Sequence, residues 1–389
     1  MPSSTTSQST RLRHVVIGIG AKVMSSHRSA LALADVELVG ATDLDPVKGQ
    51  DRADEFGCPF YGDPTDLLSA TDPDVAVITT PHPAHADVAI QALEAGSHVI
   101  LEKPIASTVG DADRIVAAAD AAERHVAVCY QNRFRPVMRA AKRLLTEGAL
   151  GSIQHVSLRA VAPRTAAYYR LGSWRGTWQG EGGGVILNQA PHALDLLVAL
   201  LGPANRVTAW NRTQLEPIET EDTVDALVGW PHGTVGNLHV SVAEVTQPER
   251  IELVGTRGTL LLTPDAIRME VFDDIIEMVQ NDPRTMPNPK GSAVDVRIDE
   301  GRGDHRAVYT DMHRAIRSGS SPEVHAREAL HSLEMANGII QSGYVSEEVS
   351  LPLDRERYAK ALQGLINRSA VNSAHPHPPV RTQPAAPPG

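Results

Sequence analysis

Short apolar runs separated by amphipathic stretches set the rhythm of the first third of the chain. His14-Val15-Val16-Ile17-Gly18 is an apolar run that ends in glycine, and a helical stretch follows it through Leu33. Further strand-like runs occupy residues 36–41, 74–79, 97–101 and 125–129, and apolar positions at helical spacing mark 46–56, 84–95 and 108–122. Short apolar strands that alternate with helices build βαβ units around a parallel sheet covered on both faces. The pattern predicts a doubly wound α/β domain with a parallel sheet over residues 12–133.

Beyond residue 133 the rhythm changes. A helix over 137–147 stops at Gly148, where glycine suits a helix end. Strand-like runs then dominate, at 153–161, 206–210, 224–230, 235–242, 250–254 and 259–262, with Gly255-Thr256-Arg257-Gly258 as a hairpin turn. An apolar helix at 191–200 interrupts them, and helices return at 306–316 and 326–341. Consecutive strands with short turns predict a mostly antiparallel sheet, hence an α+β second domain over 134–366. Residues 273–303, with scattered Pro, Gly and charge, read as a long loop. The Ser/Thr-rich start (1–11) and the Pro/Ala/His-rich end (367–389) bury too little apolar surface to fold and read as disordered tails. His375 and His377 in the second tail read as solvated.

Composition narrows the function. At 389 residues the chain exceeds one compact core and suits two domains. Its 36 Lys+Arg against 47 Asp+Glu give a formal net charge of -11, which repels phosphate backbones, so no nucleic-acid partner is expected. Cys58 and Cys129 are too few for a disulfide scaffold or a cysteine-rich zinc site, and no metal is expected. No run approaches the roughly 18–20 apolar residues of a membrane span. The polar stretch from Met1 to Ser9 lacks the apolar core of a secretory signal. A soluble cytoplasmic protein is expected.

The first chemical signal lies at the end of the first strand. Gly18-Ile19-Gly20 occupies the strand-to-helix turn that dinucleotide binding requires, the first glycine for the tight turn and the second for close approach to pyrophosphate. With Ala21, Lys22 and Val23, it brings the unpaired N–H groups of a helix start to the anion. Val23 stands where the third glycine of the usual spacing would fall, which loosens helix packing or lengthens the turn ahead of His27. Asp43 ends the second strand roughly 20 residues on, where a carboxylate accepts from ribose hydroxyls and repels a 2′-phosphate. This favours NAD over NADP. Taken singly, the glycines are also an ordinary turn and Asp43, ahead of Asp45-Pro46, is also a helix-start residue. Their order along the chain is what favours a nucleotide site.

Three later motifs carry a family resemblance. They are Leu101-Glu102-Lys103-Pro104, then Tyr130-Gln131-Asn132-Arg133-Phe134-Arg135-Pro136, and the run from Gly180 through Gly182-Gly183-Gly184, Asn188 and His192 to Asp195. In these residues, from about Arg13 to Ile366, the sequence resembles the Gfo/Idh/MocA oxidoreductases, the glucose–fructose oxidoreductase and inositol dehydrogenase family. The resemblance implies an N-terminal Rossmann domain and a C-terminal domain with a large, mostly antiparallel open sheet, with nicotinamide and substrate meeting between them. It implies that Lys103 and His192 face the reacting carbon. It also implies that Thr79, Thr80, Pro81, His82 and His85 form the loop beside the cofactor, and that Glu102, Lys103 and Gln131 approach the ribose or nicotinamide. A homodimer or homotetramer built through the open sheet is expected on the same ground.

Chemistry assigns provisional roles to these residues. Oxidising a secondary alcohol removes hydride from carbon and a proton from oxygen, and imidazole, with an ordinary pKa near 6.5, works in either direction at neutral pH. His192 is therefore expected as the main acid/base, with Lys103 orienting the oxygen and stabilising its charge. Inositol-dehydrogenase-like members carry Asp four residues before the histidine, where this chain has Asn188. Asn188 orients an imidazole or binds a sugar hydroxyl but supplies no charge. Asp195 either supplies part of that charge or faces elsewhere, and Lys103 then carries more of the proton transfer.

Tyr168, Tyr169, Arg170, Trp174, Arg175 and Trp178 crowd one irregular stretch of a chain with only seven Tyr, four Trp and four Phe. Aromatic faces pack against sugar C–H groups while Arg and Asn satisfy hydroxyls, and the same cluster also suits a plug between domains. Tyr168, Trp174, Arg175, Trp178, Asn188, His192 and Arg133 are the expected substrate contacts, although Arg133 and Arg135 equally suit salt bridges. The expected substrate is a sugar, glycoside or cyclitol oxidised at a ring secondary alcohol. Arg170 and Arg175 leave room for a sugar acid or a nucleotide-linked sugar, and a ketoreductase of such sugars is the alternative. A non-catalytic dinucleotide-binding regulator is a second alternative, disfavoured because Lys103 and His192 are both present.

Overall fold

The apolar run at the start of the chain forms the middle of a sheet. Residues 11–215, 217–245, 249–286 and 290–374 are described by the structure, a computed structural model. The first sheet contains β1 (Leu12–Ile17), β2 (Val36–Thr42), β3 (Phe60–Tyr61), β4 (Val75–Ile78), β5 (His98–Leu101) and β6 (Val126–Val128). Its order is β3-β2-β1-β4-β5-β6, and every pairing is parallel. Val15, Val16, all of β4 and residues 99–101 are buried, as strands covered by helices on both faces must be. The order reverses between β1 and β4, so the crevice for a ligand opens beyond their carboxyl ends. β3 and the helix Pro64–Thr71 are additions to the predicted pattern. β3 is too short to carry a period, and the helix is started by Asp63, whose side chain accepts from the Asp66 N–H.

The second sheet comprises β7 (Ile153–Val161), β8 (Arg206–Arg212), β9 (Thr223–Gly229), β10 (Val235–Ser241), β11 (Arg250–Gly255), β12 (Gly258–Leu262), β13 (Ile267–Val271), β14 (Ser292–Val294) and β15 (Val349–Ser350). The order is β14-β13-β12-β11-β7-β10-β9-β8-β15, antiparallel throughout except where β7 meets β10. The predicted hairpin joins β11 to β12, with Val254 opposite Thr259. The helix Ala326–Val345 packs over the β8–β15 end of this sheet. Ser342 Oγ accepts from the Ala209 N–H of β8, and Asn337 Oδ1 accepts from the Val109 N–H of the first domain, so this helix ties the domains together.

Two expectations about the second domain are corrected. Residues 273–303 are not one loop: they hold the helix Ile275–Asn281, which Asp274 caps through the Ile276 N–H, and the edge strand β14. The chain also stays helical past residue 366, because the helix Arg355–Ala374 runs into the expected second tail. Residues 1–10 and 375–389, with His375 and His377, lie outside the described residues. Among those described, no single helix is long and apolar enough to cross a membrane.

Candidate active site

The turn after β1 is built for close approach. Gly18 has φ +96°, and a β-carbon there would meet the Thr79 carbonyl carbon and the Thr80 nitrogen at 3.0 Å. Gly20 N donates to Asp43 Oδ2 at 2.7 Å, which joins the glycine turn to the end of β2. Ala21 N is taken by Gly18 O, whereas the N–H groups of Lys22 and Val23 meet no acceptor among the described residues. Val23 takes the N-cap position of the helix Met24–Leu31, so the turn closes there and His27 lies inside the helix. Thr79 Oγ1 donates to Gly18 O at 2.8 Å, and the buried Thr80 Oγ1 has no partner. Pro81 leads into a short helical turn, His82–Ala84. His85 bridges the Pro104 and Thr80 carbonyls at 2.8 and 2.9 Å and so clamps this loop to the Lys103–Pro104 segment. His82 keeps Nδ1 unpartnered and packs edge-on against Trp174.

Lys103 follows β5 on a rigid footing. Glu102 Oε1 accepts from His27 Nε2 at 3.0 Å and His305 Nε2 at 2.9 Å, and Oε2 accepts from the Lys103 N–H. Burial by itself would raise the Glu102 pKa, but the two imidazole hydrogen bonds and their charge hold it well below the usual carboxylate range. His27, Glu102, Cys129 and His305 have donor atoms all within 4.8 Å of one another, the set among the described residues that could share a cation. Their contacts are those of a hydrogen-bonded hub centred on the carboxylate. It ties the first helix, the end of β5 and the start of helix His305–Ser318 beneath Lys103.

From this footing Lys103 Nζ reaches across the domain boundary to donate to Asn188 O at 2.7 Å. Burial lowers the lysine pKa, with Glu102 and Glu181 opposing the shift and the Arg175 and Arg164 charges adding to it. Asn188 lies at the end of the helix Val185–Asn188, and His192 lies in the next helix, Pro191–Leu201. The two residues therefore do not share one helical face, and Asn188 does not orient the imidazole. Asn188 Nδ2 donates to Glu181, and Asn188 Oδ1 accepts from the Tyr168 hydroxyl at 2.9 Å. Gly184 has to be glycine, because a methyl group would run into the Glu221 carbonyl that receives the Val185 N–H. His192 meets the Tyr130 ring edge-on at 5.8 Å and has Nδ1 unpartnered. Burial lowers its pKa to about 3, with the nearby Lys103 charge adding to the shift.

In the aromatic stretch, Arg175 Nη1 donates to the Tyr168 hydroxyl at 2.7 Å while its guanidinium lies over Trp174. Trp178 packs partly buried against the core at the start of a short helix. Arg133 is the exception among the expected substrate contacts. Its guanidinium holds Asp195 through two buried hydrogen bonds of 2.7 and 2.6 Å and the partly exposed Glu328 through a third of 3.1 Å. Asp195 is thereby spent on Arg133 and leaves His192 without a carboxylate.

Free amides at Lys22 and Val23 suit a pyrophosphate, Asp43 is accessible at the strand end, and the orphaned Thr80 Oγ1, His82 Nδ1 and Gln131 Oε1 await partners beside Lys103. The residues fit a dinucleotide. Family models match two consecutive segments of the chain: an oxidoreductase family with an NAD-binding Rossmann fold over residues 12–130, and the GFO/IDH/MocA C-terminal domain over 138–261. The chain belongs to the Gfo/Idh/MocA oxidoreductase family.

Relatives within the Gfo/Idh/MocA family fill in the neighbourhood. The chain is 31% identical over 236 residues to 1-carboxy-3-chloro-3,4-dihydroxycyclo hexa-1,5-diene dehydrogenase of Comamonas testosteroni, covering 59% of this chain and 58% of that one. It is 30% identical over 229 residues to the D-glucoside 3-dehydrogenase of Escherichia coli, covering 58% of this chain and 64% of that one. The chain thus spans less than two thirds of the length of these curated relatives. Among solved structures, the WlbA dehydrogenase from Chromobacterium violaceum, in complex with NADH and UDP-GlcNAcA, has a TM-score of 0.78 at 29% identity. That match covers 91% of this chain and 99% of the other.

Several members of the site lie outside the Gfo/Idh/MocA motifs or are set by contacts that the motifs do not encode. Glu181 is the carboxylate that answers Asn188, and Tyr130 is the ring beside His192. Gln189 and Arg164 approach Tyr168, the first by a hydrogen bond and the second over its ring. Glu181 adjoins the glycine run, so an acid within an otherwise small and apolar stretch was the available signal. Its partner across seven residues was not.

Proposed function

We propose that this Gfo/Idh/MocA protein is an NAD-dependent dehydrogenase that oxidises a ring secondary alcohol of a sugar, glycoside or cyclitol. The observation that carries the reading is the pairing of a sheltered amine, Lys103, with an imidazole whose Nδ1 has no protein partner, beside a turn with free amides. Bound nicotinamide supplies the hydride acceptor. The chain's own work is then to hold the carbinol oxygen and take its proton. Proton transfer is most efficient when the base titrates near the working pH. His192, brought down to about 3, lies far below that range, whereas burial moves Lys103 toward it from 10.5. Lys103 is thus the proton acceptor and the neutral His192 a hydrogen-bonding partner of the substrate hydroxyl, the reverse of the weighting expected from residue types. Asp43 favours NAD over NADP through its carboxylate at the end of β2.

The substrate lies between the domains, with Tyr168, Trp174 and Arg175 on one side and Lys103 and His192 on the other. A nucleotide-linked sugar is the second reading, supported by the UDP-GlcNAcA named in the WlbA complex. We place the protein in the cytoplasm as a homodimer or homotetramer. Trp210, Leu227 and Val235 stand on one face of adjacent strands and are 62%, 49% and 39% exposed, which supports association through the open sheet. Light scattering on the purified protein checks the assembly. The activity is tested with NAD and candidate alcohols: turnover should rise with pH along a limb whose midpoint lies below 10.5, and Lys103→Ala should abolish it. Undiminished turnover in that variant would refute the assignment.

A further inference from the structure

Positive charge gathers at the substrate side of this site with too little to balance it. The guanidinium of Arg175 lies 4.6 Å from the Tyr168 ring centre and 4.4 Å from that of Trp174, and Arg164 lies 5.3 Å from the Tyr168 ring. Arg164 donates through Nη1 to the Ala162 and Pro163 carbonyls, and Arg175 through Nη1 to the Tyr168 hydroxyl. Neither forms an ion pair among the described residues. Both are half-buried, and each guanidinium keeps donors free on a plane fixed by the rings, the geometry that suits a carboxylate or phosphate.

The acid that faces them does not neutralise them. Glu181 is fully buried, and its two oxygens accept from the Gly176 N–H and the Asn188 amide. Burial raises its pKa to about 7, so near neutrality it carries only part of a charge against Lys103, Arg164 and Arg175. The other nearby acid, Glu102, is committed to His27 and His305. The two guanidinium charges held beside the Tyr168 ring repel one another, and an anion that enters relieves the repulsion.

We propose that Arg164 and Arg175 form an anion-binding subsite that takes a carboxylate or phosphate group carried by the sugar substrate. The inference rests on the dehydrogenase reading and deepens it. Its position is set by the chain Arg175–Tyr168–Asn188–Lys103, with hydrogen bonds of 2.7, 2.9 and 2.7 Å. Two residues, Tyr168 and Asn188, thereby link the guanidinium to the amine. An acidic sugar would rest on Trp174 and Tyr168, anchor its charged group at the arginines and turn a ring hydroxyl to Lys103.

The test titrates the full-length protein, saturated with NADH, with D-glucuronate, D-glucose 6-phosphate and D-glucose by calorimetry. At least one of the two anions should bind about tenfold more tightly than glucose. Arg175→Gln should reduce that affinity to the level of glucose without changing NADH binding. Arg164→Gln should give the same result to a smaller extent, and serves alone if the first variant does not fold. Tighter glucuronate binding assigns a sugar acid, and tighter phosphate binding a phosphosugar. Equal binding of all three probes, absence of binding by both anions, or a preference that survives both variants overturns the subsite while the dehydrogenase reading stands. Failure of NADH itself to bind overturns that reading and takes the subsite with it.

Discussion

Asp195 and His192 sit three residues apart on one helix, yet their neighbourhoods are completed differently. Burial raises the carboxyl to about 6 and lowers the imidazole to about 3, the same desolvation acting on opposite charges. Asp195 is answered by Arg133 through two hydrogen bonds, and Glu328 takes a third from the same guanidinium. His192 is left with Nδ1 unpartnered, in company with Thr80 Oγ1, His82 Nδ1 and Gln131 Oε1. A buried polar group without a partner costs roughly 1–3 kcal/mol, so several side by side mark a place where a ligand supplies the partners. Between Asp195 and His192, the presence or absence of a protein partner, rather than residue type, separates framework from site.

Substitutions on the two sides should therefore fail in different ways. Lys103→Ala, on the open side, should lower kcat by about a thousandfold or more with little change in the unfolding midpoint, since it removes a transferring group and leaves no buried charge unpaired. Arg133→Ala, on the closed side, leaves Asp195 buried without its cation and should destabilise the protein by about 3–5 kcal/mol in denaturant unfolding. A stable Arg133→Ala protein with lost turnover would erase the distinction and return Arg133 to the substrate.

The same contrast explains what could be read along the chain. The alternation of strands and helices up to residue 129 was legible because parallel strands buried on both faces must be apolar throughout. The paired strands of the second sheet were legible from their tight turns. β14 was hidden because three exposed residues carry no period, and the helix Ile275–Asn281, although apolar at Ile275, Met278 and Val279, buries none of its residues and stands in a stretch of scattered Pro, Gly and charge. In the site, Lys103 and His192 stood out through their motifs, but the partners of Arg133, Asp195 and Asn188 are set by tertiary contacts with Glu328, Glu181 and Tyr168. Asn188 and His192, spaced as helical neighbours, are parted by the break before Pro191, which begins a new helix.

Smaller effects sharpen the picture. Glu221 is wholly buried, accepts from the Gly184 and Ile186 N–H groups and keeps Oε2 unpartnered, and burial raises its pKa from 4.5 to about 7. Above 4.5 the unfolded chain releases a proton that the folded protein retains, so this group costs stability as pH rises toward 7. Glu221→Gln should accordingly be more favourable at about pH 8 than at about pH 5, by about 2 kcal/mol, in unfolding measured at both. An effect independent of pH would place the proton elsewhere. Asp43→Ala should weaken NAD by about tenfold and NADP by less, because only the unphosphorylated ribose loses a hydrogen-bond acceptor. A larger loss for NADP in equilibrium titrations would reverse the cofactor preference.

One assay reaches the heart of the account. The purified protein is mixed with NAD and a panel of cyclitols, aldoses, glycosides and sugar acids while the reduced-nicotinamide band at about 340 nm is followed. Absorbance should grow with at least one ring alcohol and stay flat in Lys103→Ala. Growth that persists undiminished when Lys103 and His192 are both replaced by alanine would contradict it.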